Sequence, residues 1–533
     1  GNLTIGTGVT LSTSGGSSGD NKSLTVTGGV SGAGTLTTND SAISFGYLTM
    51  SGTYNATTDS SGTILTSRSG PGAQLIMDAA DIVHNNGYFV FKGAAGGSSY
   101  IGLNGASDAT NGFYNVEIHA SGRTVNISSY NLTIHNNLYV TIGTLDTTTN
   151  GLTVTGAIDI TGTLTGNASA ISAGGLRVND TGIFNAPTSA GSCSITGELS
   201  SYAFRISGGG TLNNNTGTIT FLNVNSRLMM NGTGNIYNLT LNHASCFIML
   251  HSDGTTTIEG NLTITAGQLT TYMEGTTTSK DLTVTGITTI GDASHSSEDQ
   301  ATLTCNASAI SLGSGKADYW AIEMLAGGTF VGGSTNHTTG AIKQAVANTK
   351  FTFTAATTTI DSEYTTANRF FEMTLGKAYN ADGRITLSDN ASSYVQWNGP
   401  SGDTGPHNLR LNGASNDIQT QMTGVAPDFA SSSGGINKFG YNGDVAFTGA
   451  MTVTCGSVGG NWTNAGTSTV TISNHTNKTN NQTGSLYNLT INNTGNTTLC
   501  STTQTILGAL VITAGTFDMM NQALNVTGNA SVT

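Results

Sequence analysis

The string TLTCNASAISLG, Thr302–Gly313, stands again as TLTGNASAISAG at Thr163–Gly174 and as TLTTNDSAISFG at Thr35–Gly46. Three near copies in one chain constrain the fold more than any other feature, because a unit that recurs in order must stack on its own kind. The twelve-residue string belongs to a longer module. LTVTG precedes it at Leu24–Gly28, Leu152–Gly156 and Leu282–Gly286, with LNVTG at Leu524–Gly528. Before that come VTIGTLD (Val140–Asp146), ITAGQLT (Ile264–Thr270) and ITAGTFD (Ile512–Asp518), and earlier still YNVEI (Tyr114–Ile118), YNLTL (Tyr237–Leu241) and YNLTI (Tyr487–Ile491). Downstream stand LTMSGTYNA from Leu48, LRVNDTGIFNA from Leu176, IEMLAGGTFVG from Ile322 and the related FEMTLGKAYNA from Phe371. The order is kept wherever the strings occur, and the module is about 125 residues long.

Within the module the hydrophobic period is two. Leu282 and Val284 alternate with Thr283 and Thr285, and Leu262 and Ile264 with Thr263 and Thr265. Alternation over four or five residues closed by Gly or Asn reads as a short half-buried strand. No segment carries a helical period. A sandwich of this length needs several cores with linkers, and no linker is visible. A propeller needs a blade period near 40 to 50 that the strings do not keep. The reading is therefore an all-β, elongated parallel β-helix, a β-solenoid in which each rung of about 22 residues buries its aliphatics on the rungs above and below. Gly and Asn are expected at the corners, where positive φ is tolerated, and Thr on the outer face.

Composition agrees. Only 9% of residues are charged, with Gly 73 and Pro 5, whereas disordered chains are rich in charge and proline. The formal net charge is −13, with no run of Lys or Arg, so nucleic acid is not an expected partner. No apolar run approaches the roughly 20 residues that span a bilayer, and membrane insertion is not expected. A start at Gly1 without methionine leads us to expect a removed leader or a segment of something longer.

The modules divide the chain into 1–113, a partial first module; 114–236 and 237–313, two further modules; 314–460, a less regular solenoid with inserted loops; and 461–533, a truncated last module. The stretch GTITFLNVNSRLMMNGTGNIYNLTLN (Gly217–Asn242), followed by GNLTITAGQL and DLTVTG, resembles repeat regions of large secreted bacterial adhesin-like proteins and the fibre proteins of bacteriophages. That resemblance implies a right-handed parallel β-helix. It also implies a structural or adhesive role at the cell surface or outside the cell, or alternatively in a virion, with neighbouring copies and cell-surface glycans as partners.

Parallel β-helices also carry glycan-cleaving sites, which need two or three carboxylates on adjacent rungs. Acids here are sparse. Asp146 and Asp518 hold matching places after a turn where another module has Thr270, which is turn chemistry, so no catalytic residue and no cofactor are expected. The five cysteines show no metal or disulfide spacing; Cys305 stands where the copies have Gly166 and Thr38 and reads as a small semi-buried side chain. No resident metal is expected. One inserted loop, GDASHSSEDQ (Gly291–Gln300), gathers Asp292, His295, Glu298 and Asp299, which are cation-ligand types, although a polar protruding loop is the preferred reading. Trp397 and Tyr394, with Trp320, are the candidate ligand contacts, as aromatic platforms for sugars in a Gly/Asn-rich setting, although aromatics that cap or brace a bulge in the coil are the preferred reading.

Overall fold

The computed structural model describes side chains for residues 1–14, 21–66, 82–93, 98–102, 112–128, 130–271, 280–292, 294, 300–313, 321–332, 469–471 and 484–533, and strand backbone for further stretches between. All of it is β, with no helix among the described residues, and its parallel strands stack as a β-solenoid of about 14 turns. The chain divides into two compact units, Gly1–Gly260 and Asn261–Thr533. The boundary falls inside the module at 237–313.

In the first unit each turn has three short strands, so the interior is lined by three columns of side chains in register. On the first face the column runs Leu24, Ile43, Thr63, Phe89, Val116, Leu138, Ile158, Leu176, Phe204, Leu228 and Leu250. On the second it runs Leu132, Leu152, Ile171, Cys193, Ile219 and Leu239. On the third it runs Val125, Leu145, Leu164, Phe184 and Leu212. Every member from Ile43 onward is buried. No rung could bury its two or three aliphatics alone; stacking does so, at roughly 1.5–3 kcal/mol per fully buried side chain. Thr63 sits in an otherwise apolar column because its hydroxyl hydrogen-bonds the buried Tyr54 hydroxyl at 2.5 Å across the interior, and a buried polar group needs such a partner.

The recurring strings are corner devices. In LTVTG the final glycine turns the chain from one face to the next, and strand Leu152–Ile160 shifts register between Val154 and Ala157 as it does so. A Cβ on Gly156 would fall 2.5 Å from the carbonyl oxygen of Asn136 on the rung beneath, so only glycine fits. The residue after that glycine is held from below: the amides of Gly29, Ala157 and Ile287 donate to the side-chain oxygens of Asn2, Asn137 and Asn261 at 2.9–3.0 Å, and Ala509, after the corner glycine Gly508, donates likewise to Asn488 at 2.7 Å. The Asn that precedes each such strand therefore satisfies an amide that the register shift would leave orphaned.

In TLTxNxSAIS the Asn adopts positive φ in every copy, 43° at Asn39 and 47° at both Asn167 and Asn306, as the corner expectation required. The serine two residues later is buried in all three copies. Ser41 and Ser308 donate to Thr13 and Thr271 hydroxyls of the previous rung at 2.7 and 2.6 Å, and those threonines donate to the carbonyls of Thr38 and Cys305. At the middle copy Thr147 donates to the Gly166 carbonyl at 2.8 Å, while the Ser169 hydroxyl lacks a partner among the described residues.

The second unit repeats the pattern. Leu262, Thr288, Ile322 and Ile342 are in backbone register on one face, and Val453, Val470, Leu489 and Leu510 on another ladder.

Candidate functional site: a charged and aromatic ladder on one face

Residues between the inward aliphatics point outward, so each face of the first unit carries an outer ladder as regular as the inner one. On the second face that ladder is Thr133, Thr153, Ser172, Ser194, Thr220 and Thr240. On the third it is Asn126, Asp146, Thr165, Asn185 and Asn213. The first face differs: Glu117, Tyr139, Asp159, Arg177, Arg205 and Met229 follow one another in register. In a chain only 9% charged, this is a concentration of charge and aromatic surface that the other two faces lack at the same levels.

Its two ends differ in sign. At the acidic end Glu117 accepts a hydrogen bond from the Thr141 hydroxyl at 2.8 Å and faces His119 Nδ1 at 3.2 Å. The Tyr88 and Tyr139 rings lie 6.0 Å apart beside it. Burial first, and then the neighbouring Glu117 and Tyr139, push the Tyr88 phenol well above its ordinary range. In the middle Asp159 accepts from Arg177 Nε at 3.1 Å and Asn179 Nδ2 at 2.9 Å, and also from Arg177 Nη2. The hydrogen bonds to Asp159 raise the Arg177 pKa. This forked pairing neutralises both charges.

The basic end is built around Tyr202. Arg205 lies over its ring with the guanidinium carbon 5.0 Å from the centroid, Arg227 approaches to 6.0 Å, and His251 meets it edge-on at 5.3 Å. Among the described residues neither Arg205 nor Arg227 forms an ion pair, and Arg205 Nε is buried without a hydrogen-bond partner. Tyr202 and Arg227 are themselves register partners, so the ring and both guanidinium groups are fixed by two adjacent rungs.

The carboxylates on this face each accept hydrogen bonds from neighbours, Glu117 from Thr141 and Asp159 from Arg177 and Asn179. Among the described residues no group of three or more His, Cys, Asp or Glu is placed to hold a metal ion. Of the candidate loop, Asp292 is described: its amide donates to the Ala326 carbonyl at 3.0 Å, and its carboxylate accepts from the amide and hydroxyl of Ser294, which is an Asx turn. His295, Glu298 and Asp299 lie outside the described residues, as do Trp320, Tyr394 and Trp397. Asp146 and Asp518 are turn residues, accepting from the amides of Thr148 at 2.7 Å and Met520 at 2.9 Å. Cys193, Cys246, Cys305 and Cys500 are buried.

Sequence reasoning missed the ladder because its members are 18 to 28 residues apart at irregular intervals, as with Asp159 to Arg177 and Arg177 to Arg205. A signal was nonetheless present. In NVEI, LYV, IDI, LRV and FRI the residue between two inward aliphatics is not the Thr or Ser found elsewhere. No protein-family model matches the chain, and no curated protein matches it.

Proposed function

We propose that the chain is a non-enzymatic structural and adhesive β-solenoid, acting as a stalk, surface fibre or coat element outside the cell or at its surface. The observation that carries this reading is the unbroken parallel register from Leu24 to Leu250. Each rung is bound to its neighbours by backbone ladders on three faces. Opening one rung breaks all three together, which suits a mechanical part. The hydroxyl and amide ladders of the second and third faces keep the exterior wetted with little charge, and the first face supplies a place for contact.

The test has two readouts on the full chain. Pulled in an optical trap, it should unfold in steps the size of one or a few rungs. Incubated with a panel of neutral and acidic polysaccharides, it should leave their reducing-end count unchanged. Release of reducing ends or unsaturated uronates would overturn the reading.

A further inference from the structure

We propose that the basic end of the first face, formed by Arg205 and Arg227 around Tyr202 with His251 and Arg177 alongside, is a binding site for an acidic polysaccharide. The proposal deepens the adhesive reading above and rests on it.

Each part of the arrangement contributes a separate reason. A guanidinium is a planar fork that pairs two oxygens of a carboxylate or sulfate at once. Arg177 has already spent its fork on Asp159, whereas Arg205 and Arg227 carry no carboxylate among the described residues. Both are instead held against the Tyr202 ring, an arrangement that fixes their direction before any ligand arrives and lowers the ordering cost of binding. The buried, unpartnered Nε of Arg205 marks a donor whose desolvation the protein itself does not offset. Arg205 is in register with Met229, and Arg227 stands two residues earlier on that same rung, so the two guanidinium groups offer separate anion contacts on adjacent rungs. The Tyr202 ring, and Tyr139 further along the same face, supply apolar surface of the kind that pyranose rings lie against.

A nucleic acid fits the same surface poorly. Duplex DNA carries a charge about every 1.7 Å, and a strand long enough to lie along this face would meet Glu117 and Asp159 within a few rungs, in a chain of net charge −13. A polymer with one anion per sugar or two asks for only the cations present.

The test uses the full chain immobilised for surface plasmon resonance against heparin, polygalacturonate, neutral dextran and duplex DNA. The chain should bind heparin and polygalacturonate, with dextran and DNA far weaker. The double variant Arg205→Gln/Arg227→Gln should lose affinity by roughly tenfold for each guanidinium removed, with its circular dichroism and thermal midpoint unchanged. Should that variant fold poorly, Arg227→Gln alone carries the same expectation at half the effect. Lys22→Gln, a remote exposed cation, should bind as the parent does. Equal binding by the double variant, an equal loss in Lys22→Gln, dextran or DNA binding as tight as heparin, or no binding to either acidic polymer would each overturn the proposal. If the polymers are cleaved while binding still depends on Arg205 and Arg227, the adhesive reading falls and the site stands; absent binding without cleavage removes the site alone.

Discussion

Leu24 and Leu152 open identical LTVTG strings, yet they stand on different faces of the coil. Leu24 is in register with Ile43, in the column that later includes Ile158, whereas Leu152 pairs with Ile171 in the next column. The TLT string behaves likewise. Leu36 pairs with Tyr54, whose ladder continues to Ile82 and by way of Phe113 to Ile134, while Leu164 pairs with Leu145 and Phe184 on the third face. From Leu24 the first column advances five turns to Leu138, and two further strands lead to Leu152. From the first copy to the second, the module is therefore five and two-thirds turns, and the second copy is rotated by a third of a turn from the first.

Because the strings are interchangeable between faces, removal of residues 24–151 should leave a folded solenoid. Leu152–Ile160 would replace Leu24–Gly32 on the rung formed by Leu3–Ile5. The far-ultraviolet circular dichroism per residue and the thermal midpoint should match the parent, since stability in a stacked repeat is set by neighbouring rungs. A deletion of 24–157, which also removes the corner at Gly156, should fold poorly. Equal behaviour of the two deletions would sink the phase argument.

Phe204 is fully buried between Leu176 and Leu228. Phe204→Ala should cost about 3–5 kcal/mol by the transfer and cavity terms, read as a lower denaturant midpoint. Thr153→Ala, on the outer hydroxyl ladder, should change stability by less than about 0.5 kcal/mol.

Asn167 holds φ at 47° and its amide donates to the Asp146 carboxylate at 2.7 Å. Asn167→Ala should lose about 1–2 kcal/mol, the cost of a left-handed backbone for a residue with a Cβ, and Asn167→Gly should lose less because glycine adopts that backbone freely. The two variants compared by urea denaturation decide the point; an alanine variant at least as stable as the glycine one would contradict it.

Burial pushes the Cys193 thiol up to about 12 and the Cys246 thiol up to about 11. The unfolded chain ionises these groups near pH 9 while the folded chain keeps them protonated, so folding stability is full below about pH 8.5 and declines as pH rises toward 11. The buried Tyr54 phenol, raised to about 12, extends the same trend upward. The thermal midpoint should fall between pH 8.5 and 10.5, and the described thiols should react with Ellman's reagent at pH 8 only after denaturant is added. Rapid labelling of Cys193 or Cys246 in the folded chain, located by peptide mass mapping, would refute the burial of these groups.

Much of the fold was legible in the text. Period-two alternation in LTVTG and NLTITAG named the strands, and recurrence in a kept order required stacking. Asn167 and its counterparts were read as corners because few residues tolerate positive φ. The site was not legible, since Glu117, Asp159, Arg177 and Arg205 become neighbours only when turns of unequal length bring them onto one line.

The amino-acid sequence by itself determined that this chain stacks short strands with aliphatics inward and glycine or asparagine at the bends, because those preferences are local and act within a few residues. Only the tertiary structure decided which strands share a face, how far the module turns from its first copy to its second, and that charge and aromatic rings gather along one face of the first unit. Those outcomes depend on the length of every intervening turn, which varies from 18 to 28 residues between Ile158, Leu176 and Phe204, and on register that backbone ladders set between residues far apart in the chain.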